Sequence, residues 1–387
     1  MTEQDRARDA RAGALPRPEA ELAGLLRIAG RSPSPHNTQP WAPRVVDGAV
    51  ELAVVPSRTL PAGDPSARDL ILALGAWTES FAIAAAARGW GVEVDLLPDL
   101  GRLADLPLHG PADHDRPVAC LRLTDRPDPT PFTPEDVRGR AVARGALRAA
   151  PRALDDVSAA RMPPWLSLRR LDESVMRGLT QLGFAYTVSR PSIAEELVRW
   201  LRLSPEHPGY WRDGMTDRML GVPAPLARIA APFTRRRRLR DPALAVAGAI
   251  GRAMEGLGRD APIPRVRDRD APENVVLVAD ARAAGSEGTL SHIETLESRI
   301  GIGEERAFEA GRVLQRLWLQ ASAAGAFVAP HSEAIDAPAA NGRLRRHLGL
   351  RRSEVALAVF AVGRPAGPVA RSPRLTDDDA RRRPTVR

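Results

Sequence analysis

The chain has 387 residues, 43% of them hydrophobic, with 36 prolines, 31 glycines, one cysteine and a formal net charge of +8. Every basic residue is arginine, which excludes a lysine Schiff base, a phosphate-loop lysine and a kinase-type ATP lysine. The length allows two or three ordinary domains or one large duplicated one. The lone Cys120 excludes a disulfide or redox pair within the chain.

Residues 1–16 mix Arg, Asp, Glu and Ala without an apolar face and read as a loose tail. Leu22, Leu25, Leu26, Ile28 and Ala29 have helical spacing, and Gly30 is a natural stop. Arg31 to Trp41 then forms a proline-stiffened, extended crossing displaying Ser34, His36, Asn37, Thr38 and Gln39. Trp41 to Val46 and Ala49 to Val55 flank Asp47-Gly48, a strong hairpin signal. Asp64 with Pro65 predicts a helix start, and the small-residue run to Arg88 predicts a central, buried helix. Gly89-Trp90-Gly91 ends it before a strand over Val92 to Leu97. Cys120 falls in a further apolar strand.

The pattern predicts helix over 135–160, a strand over Trp165 to Leu171 with Asp172 able to cap the next helix, and a capping box at Ser192-Ile-Ala-Glu195. Residues 204–225 read as loop. Arg235 to Arg240 is the densest basic run, either a solvated face or an anion-binding one. A helix restarts at Asp241-Pro242 and runs towards Leu257, and 259–273 reads as mobile. Asn274 to Ala279 is a strand, Glu304 to Ala324 a long amphipathic helix, Gly325 to Ala329 extended, and Glu354 to Val362 an apolar, internal strand. Each part of the chain supplies helices and then strands, in the α+β manner. No run of about 18 apolar residues appears, so no membrane span or membrane partner is expected. Residues 1–18 lack a signal-peptide core, and a cytoplasmic chain is expected. No histidine pair has metal-ligand spacing, and neither a dinucleotide fingerprint nor a Gly-x-Ser-x-Gly elbow is present.

The crossing Pro33-Ser34-Pro35-His36-Asn37-Thr38-Gln39-Pro40-Trp41 resembles the Pro-Ser-x-x-Asn-x-Gln-Pro-Trp stretch of the nitroreductase superfamily. The run from Pro56 to Arg68 looks like its Acg-type branch, in which two nitroreductase-like halves are fused. The resemblance implies an α+β nitroreductase-like fold with an internal pseudo-dimer: a first half over 17–126, a second over 127–376 and a charged tail over 377–387. It implies a monomer holding one FMN between the halves. Pro33, Ser34, Pro35 and Asn37 would border the flavin. Arg140 and Arg144 match the family's phosphate motif, with Val142 standing where the family has a hydroxyl. Arg374, and secondarily Arg371, would give the second phosphate contact. Pro330, His331 and Ser332 would approach N5 through backbone, and Arg199, Arg202 and Arg212 are unranked candidates for the N1–O2 edge. No catalytic acid or base and no metal are implied. The activity implied is hydride transfer from NAD(P)H through flavin to a small acceptor such as a nitro compound or quinone. The alternatives are a protein that sequesters FMN under a lid formed by 204–240, and an anion or nucleic-acid binder acting through Arg235 to Arg240. Nucleic acid is the weakest, since the arginine excess reflects coding bias as much as function.

Overall fold

The Asp47-Gly48 hairpin opens the first sheet of this computed structural model, which describes residues 19–105, 115–150, 153–155, 160–258, 270–286 and 300–375. Asp47 (φ 51°) and Gly48 (φ 78°) both take left-handed backbone, as a two-residue hairpin turn requires. Strands β1 (Trp41–Val46) and β2 (Ala49–Val54) pair across it, and β4 (Arg116–Thr124) and β3 (Gly91–Leu96) extend the sheet in the order β1-β2-β4-β3. Helix α1 (Glu19–Ala29) and the long α2 (Arg68–Ala86) pack on it. Cys120 is buried in β4.

Helix α3 (Pro134–Gly139), capped by a reciprocal Thr133–Asp136 box, leads to the second part of the chain. A second antiparallel sheet has the order β10-β11-β9-β6, from β6 (Leu166–Leu171), β9 (Glu273–Asp280), β10 (Phe327–Pro330) and β11 (Glu354–Pro365). The short β5 (Leu147–Arg148) joins the far end of β11. β11 has partners on both sides, which explains why its sequence is apolar throughout. α4 (Glu173–Ser189), α5 (Pro191–Arg199), α10 (Glu333–Asp336) and α11 (Pro338–Leu348) surround this sheet together with the long α9 (Glu304–Ala323). A parallel pair, β7 (Leu201–Arg202) and β8 (Met215–Thr216), precedes α6 (Asp217–Leu220), α7 (Ala224–Arg235) and α8 (Arg237–Gly258).

α2 and α9 cross in the interior at two glycines. A Cβ on Gly75 would stand 2.1 Å from the Phe308 carbonyl, and one on Gly311 would stand 2.3 Å from the Leu72 carbonyl. Beside that crossing Glu79 is 4% exposed and takes Arg312 at 2.8 Å and Arg316 at 3.1 Å, so the buried carboxylate is doubly paired. One continuous apolar core runs from Leu22 through α2 and α9 to Phe360. The fold is α+β. α2 is long and apolar enough to cross a membrane by composition, but 89% of its apolar window is buried inside the protein.

Five expectations need correction. α2 begins at Arg68, not at Asp64-Pro65: Pro61 to Ala67 is coiled into turns, and the Asp64 carboxylate accepts from the Leu70 amide instead. Helix over 135–160 stops at Gly139, because the Ala143 amide is taken by the Val328 carbonyl and Val142 bridges Val328. α5 starts at Pro191 with Arg190 as its cap residue, so Ser192 lies inside the helix rather than capping it. Asp172 precedes α4 but makes no side-chain cap bond. Residues 204–214 are irregular as expected, but the rest of the loop reading is broken by β8 and α6 within 215–220 and by α7 from Ala224. Both charged tails and residues 259–269 lie outside the described residues.

Candidate functional site

The crossing between α1 and β1 is not simply extended. It contains a single 3-10 turn, Pro35–Asn37, and His36 (φ 48°), Asn37 (φ 55°) and Gln39 (φ 51°) all sit in the left-handed region. Non-glycine residues hold such backbone only where their surroundings over-determine it. Here they do. The Gln39 amide donates to Ser34 Oγ at 2.9 Å, and Arg58 Nε donates to the Thr38 carbonyl at 2.6 Å. Arg58 also pairs with Asp213 at 2.9 Å, which holds Arg202 at the same distance.

The side chains of the crossing reach far along the sequence. Asn37 Nδ2 donates to the carbonyls of Gly214 and Pro373, both at 3.1 Å, and its Oδ1 accepts from Arg374 at 2.8 Å. Gln39 donates to the Arg212 carbonyl and accepts from the Leu375 amide. The crossing is therefore a clasp that pins the 212–214 loop and the 371–375 segment to the first sheet.

That clasp forms one wall of a cavity of about 170 Å³. Leu72, Ala73 and Ala76 of α2, Leu314 and Trp318 of α9, and Val359 of β11 make its apolar sides. The 140–144 stretch, the turn after β10 and the 371–374 segment close it. A second cavity of about 900 Å³ adjoins it, and Pro35, His36, Asp69, Arg144, Ser332 and Glu333 line both.

Four arginines gather at the first cavity: Arg31, Arg140, Arg371 and Arg374. None has a carboxylate partner among the described residues. Burial, and then repulsion from Arg31, pulls the Arg140 guanidinium down to about 10. Burial, Arg31 and Arg140 push Arg374 well below its ordinary value. Arg140 Nε and Nη1 and Arg374 Nε are buried without a hydrogen-bond acceptor. Arg140 also donates to the Arg31 carbonyl at 3.0 Å, and Arg374 to Asn37 Oδ1 and to the carbonyls of Arg31, Ser32 and Pro373. Guanidinium stays charged in proteins, so these shifts reflect burial first and mutual repulsion second, a cost that a bound anion would offset.

At the other end, His36 lies between the cavities with its Nδ1 buried and unpartnered, and burial, followed by Arg144, lowers it to about 4. Its imidazole is neutral at physiological pH. In the adjoining cavity Asp336 pairs with Arg68 at 2.6 Å, yet burial and the Asp69 and Glu333 carboxylates raise it to about 7 against Arg68.

Pro33, Ser34, Pro35, Asn37, Arg140, Arg144, Pro330, Ser332, Arg371 and Arg374 all line the first cavity. His331 does not: its amide donates to the Val359 carbonyl at 2.8 Å and its ring bonds Glu333 at 2.9 Å. Asn37 borders the cavity with its amide fully engaged by protein groups, so it positions Arg374 more directly than it can meet a ligand. Arg144 is separated from the other arginines and faces Glu333 and His36. Arg199, Arg202 and Arg212 are absent from the lining, Arg202 being held by Asp213. Sequence reasoning passed over Arg31 and Trp318. Arg31 abuts the Pro-Ser motif and could have been included on that ground; Trp318 carried no signal beyond core spacing. No group of three metal-ligating side chains occurs among the described residues.

No protein-family model matches the chain. It is 35% identical over 140 residues to the Mycobacterium tuberculosis protein named "Putative NAD(P)H nitroreductase Rv3131", covering 34% of this chain and 40% of that one. It is 29% identical over 208 residues to the same organism's "Putative NAD(P)H nitroreductase acg", covering 52% and 56%. The chain is similar in sequence to proteins named as putative NAD(P)H nitroreductases. It spans about half the length, or less, of these curated nitroreductase relatives. A solved structure described as a putative nitroreductase from Anabaena variabilis aligns over 82% of this chain and 69% of that one, at 15% identity and a TM-score of 0.32, and no argument rests on it.

Proposed function

We propose that this chain binds FMN in the first cavity and acts as a nitroreductase-type NAD(P)H oxidoreductase. The observation that carries the reading is the cluster of four arginines without carboxylate partners among the described residues, of which Arg140 and Arg374 keep buried free donors, beside apolar walls from α2, α9 and β11. A phosphate monoester brings nearly two negative charges and several acceptors, which is what Arg31, Arg140, Arg371 and Arg374 lack. The aliphatic side chains of α2 and the Trp318 indole suit a flat aromatic ring. The fit lies in the chemistry of the donor set, with Val142 adding no hydroxyl to it.

When bound, flavin supplies two-electron chemistry, taking hydride from a reduced nicotinamide and passing electrons to a small acceptor. The protein's share is positioning and electrostatics. Arg144 stands at the end away from the phosphate cluster and is our candidate for the cation beside the ring's N1–O2 edge. The Ser332 amide has no protein acceptor among the described hydrogen bonds, whereas Pro330 has no N–H and the His331 amide is engaged. Ser332 is therefore the residue of this turn able to donate to the ring. The core's two sheets, each with a long helix crossing the other at glycine, support the reading of two fused halves around one cofactor.

Sequestration is the second reading, favoured by Met219, which brings the 204–240 segment to the cavity edge. Spectra of the FMN-loaded protein separate the two. Anaerobic bleaching of the flavin band near ~450 nm on adding NADH or NADPH is the expected result. A band unchanged by either donor would contradict turnover and favour sequestration.

A further inference from the structure

α8 is built inside out. Its inward face carries Gly248, Gly251 and Glu255, packed against α4: a Cβ on Gly251 would stand 2.6 Å from Val188 Cγ2, and Glu255 pairs with Arg190. Its outward face carries the large apolar residues Val246, Ile250, Met254 and Leu257, which recur at helical spacing and are 63%, 55%, 44% and 82% exposed. α7 repeats the pattern with Leu226, Ile229 and Phe233 outward and Ala227 and Ala231 inward. The junction between the helices is Arg235-Arg236-Arg237-Arg238. All four are exposed, and none has a carboxylate partner among the described residues.

We infer that the α7–α8 hairpin docks this protein on an anionic lipid bilayer surface, with the apolar stripes entering the acyl boundary and Arg235 to Arg238 meeting the headgroups. Lone exposed leucines need no explanation, but two helices that both turn their large apolar residues outward do. Apolar stripes next to a cationic cluster are the composition of an interfacial helix. A nucleic acid would use the arginines and leave the aliphatic stripe in water. A second copy would bring the same positive charge, whereas an anionic bilayer complements both features. The interaction proposed is peripheral, with the helices lying on the surface rather than spanning it. It does not depend on the flavin reading.

The test is co-sedimentation of the full chain with vesicles of phosphatidylcholine alone and of phosphatidylcholine mixed with phosphatidylglycerol. We expect binding to the mixed vesicles only, released by high salt. Replacing Arg235 to Arg238 by glutamine should lower partitioning about tenfold or more, and so should Val246→Gln with Ile250→Gln and Leu257→Gln. All are surface positions, and thermal melts should match the parent chain. No binding to the mixed vesicles, equal binding to neutral ones, or binding unchanged by either variant set would overturn the inference. So would concentration-dependent dimerisation, without vesicle binding, that the apolar variants abolish. Should a variant fail to fold, salt release and the neutral-vesicle comparison on the unaltered chain still decide.

Discussion

Asn37 shows how one side chain can tie distant segments to the wall of a cavity. Its amide bridges the Gly214 and Pro373 carbonyls and the Arg374 guanidinium. Asn37→Ala removes these three bonds and leaves the Gly214 carbonyl without its side-chain donor, and we expect a stability loss of about 1–3 kcal/mol together with weaker FMN binding. Asn37→Asp keeps the shape, sets a carboxylate against two carbonyls and draws Arg374 away from a phosphate, so FMN affinity should fall further than with Ala. Melts and FMN titrations of the three proteins check this, and an Asp variant that binds FMN normally would contradict it. Asp336 offers a pH test. Its folded value, raised to about 7, exceeds its ordinary one, so the native state keeps a proton that the unfolded chain has released. That contribution is fully present below the ordinary carboxylate range and is lost as pH rises through about 7. Burial also raises Asp64, which adds to the same slope. Asp336→Asn retains an acceptor for Arg68, and we expect its melting temperature to fall less between about pH 5 and about pH 8 than that of the parent chain. An unchanged slope would show that Asp336 does not titrate in this window.

At the scale of elements, the α2–α9 crossing depends on two positions where only hydrogen fits. Gly311→Ala would drive a Cβ to 2.3 Å from the Leu72 carbonyl, which is backbone and cannot swing aside. We expect a loss of about 1–3 kcal/mol, read as a lower melting temperature, and a smaller effect from Gly342→Ala, which has room. Equal effects would contradict the close crossing. The elements that could be read from sequence were those with strong local signals: the Asp-Gly hairpin, the α2 small-residue run, and the continuous apolar β11. The misreadings came where tertiary bonds overrode local chemistry. The arginine- and alanine-rich 140–150 stretch has good helix formers, yet Val328 takes its backbone into a bridge. The crossing's prolines predicted extended chain, but bonds from Arg58 to the Thr38 carbonyl and from the Gln39 amide to Ser34 Oγ accompany three left-handed residues that no local rule anticipates. The predicted residues that do line the cavity came from the Pro-Ser motif, the turn after β10 and the two Arg-bearing stretches, while its apolar walls and Arg31 were not anticipated. Arg144's separation from the other arginines was invisible without the fold.

The whole molecule brings together segments more than three hundred residues apart. Arg31 and Ser32 accept from Arg374, and Gln39 from Leu375, so the cavity exists only when the first sheet, the second sheet and the 371–375 segment are all in place. The apolar core is likewise shared, running from α1 to β11. The central claim is that the unpaired arginines in this shared cavity await the phosphate of FMN. The most direct measurement is titration of the purified chain, and of its Arg140→Gln and Arg374→Gln variants, with FMN and with riboflavin. The account predicts FMN binding much tighter than riboflavin binding, and a loss of about tenfold or more for FMN in each variant with riboflavin scarcely changed. Equal affinity for the two ligands, or equal losses for both in the variants, would contradict it.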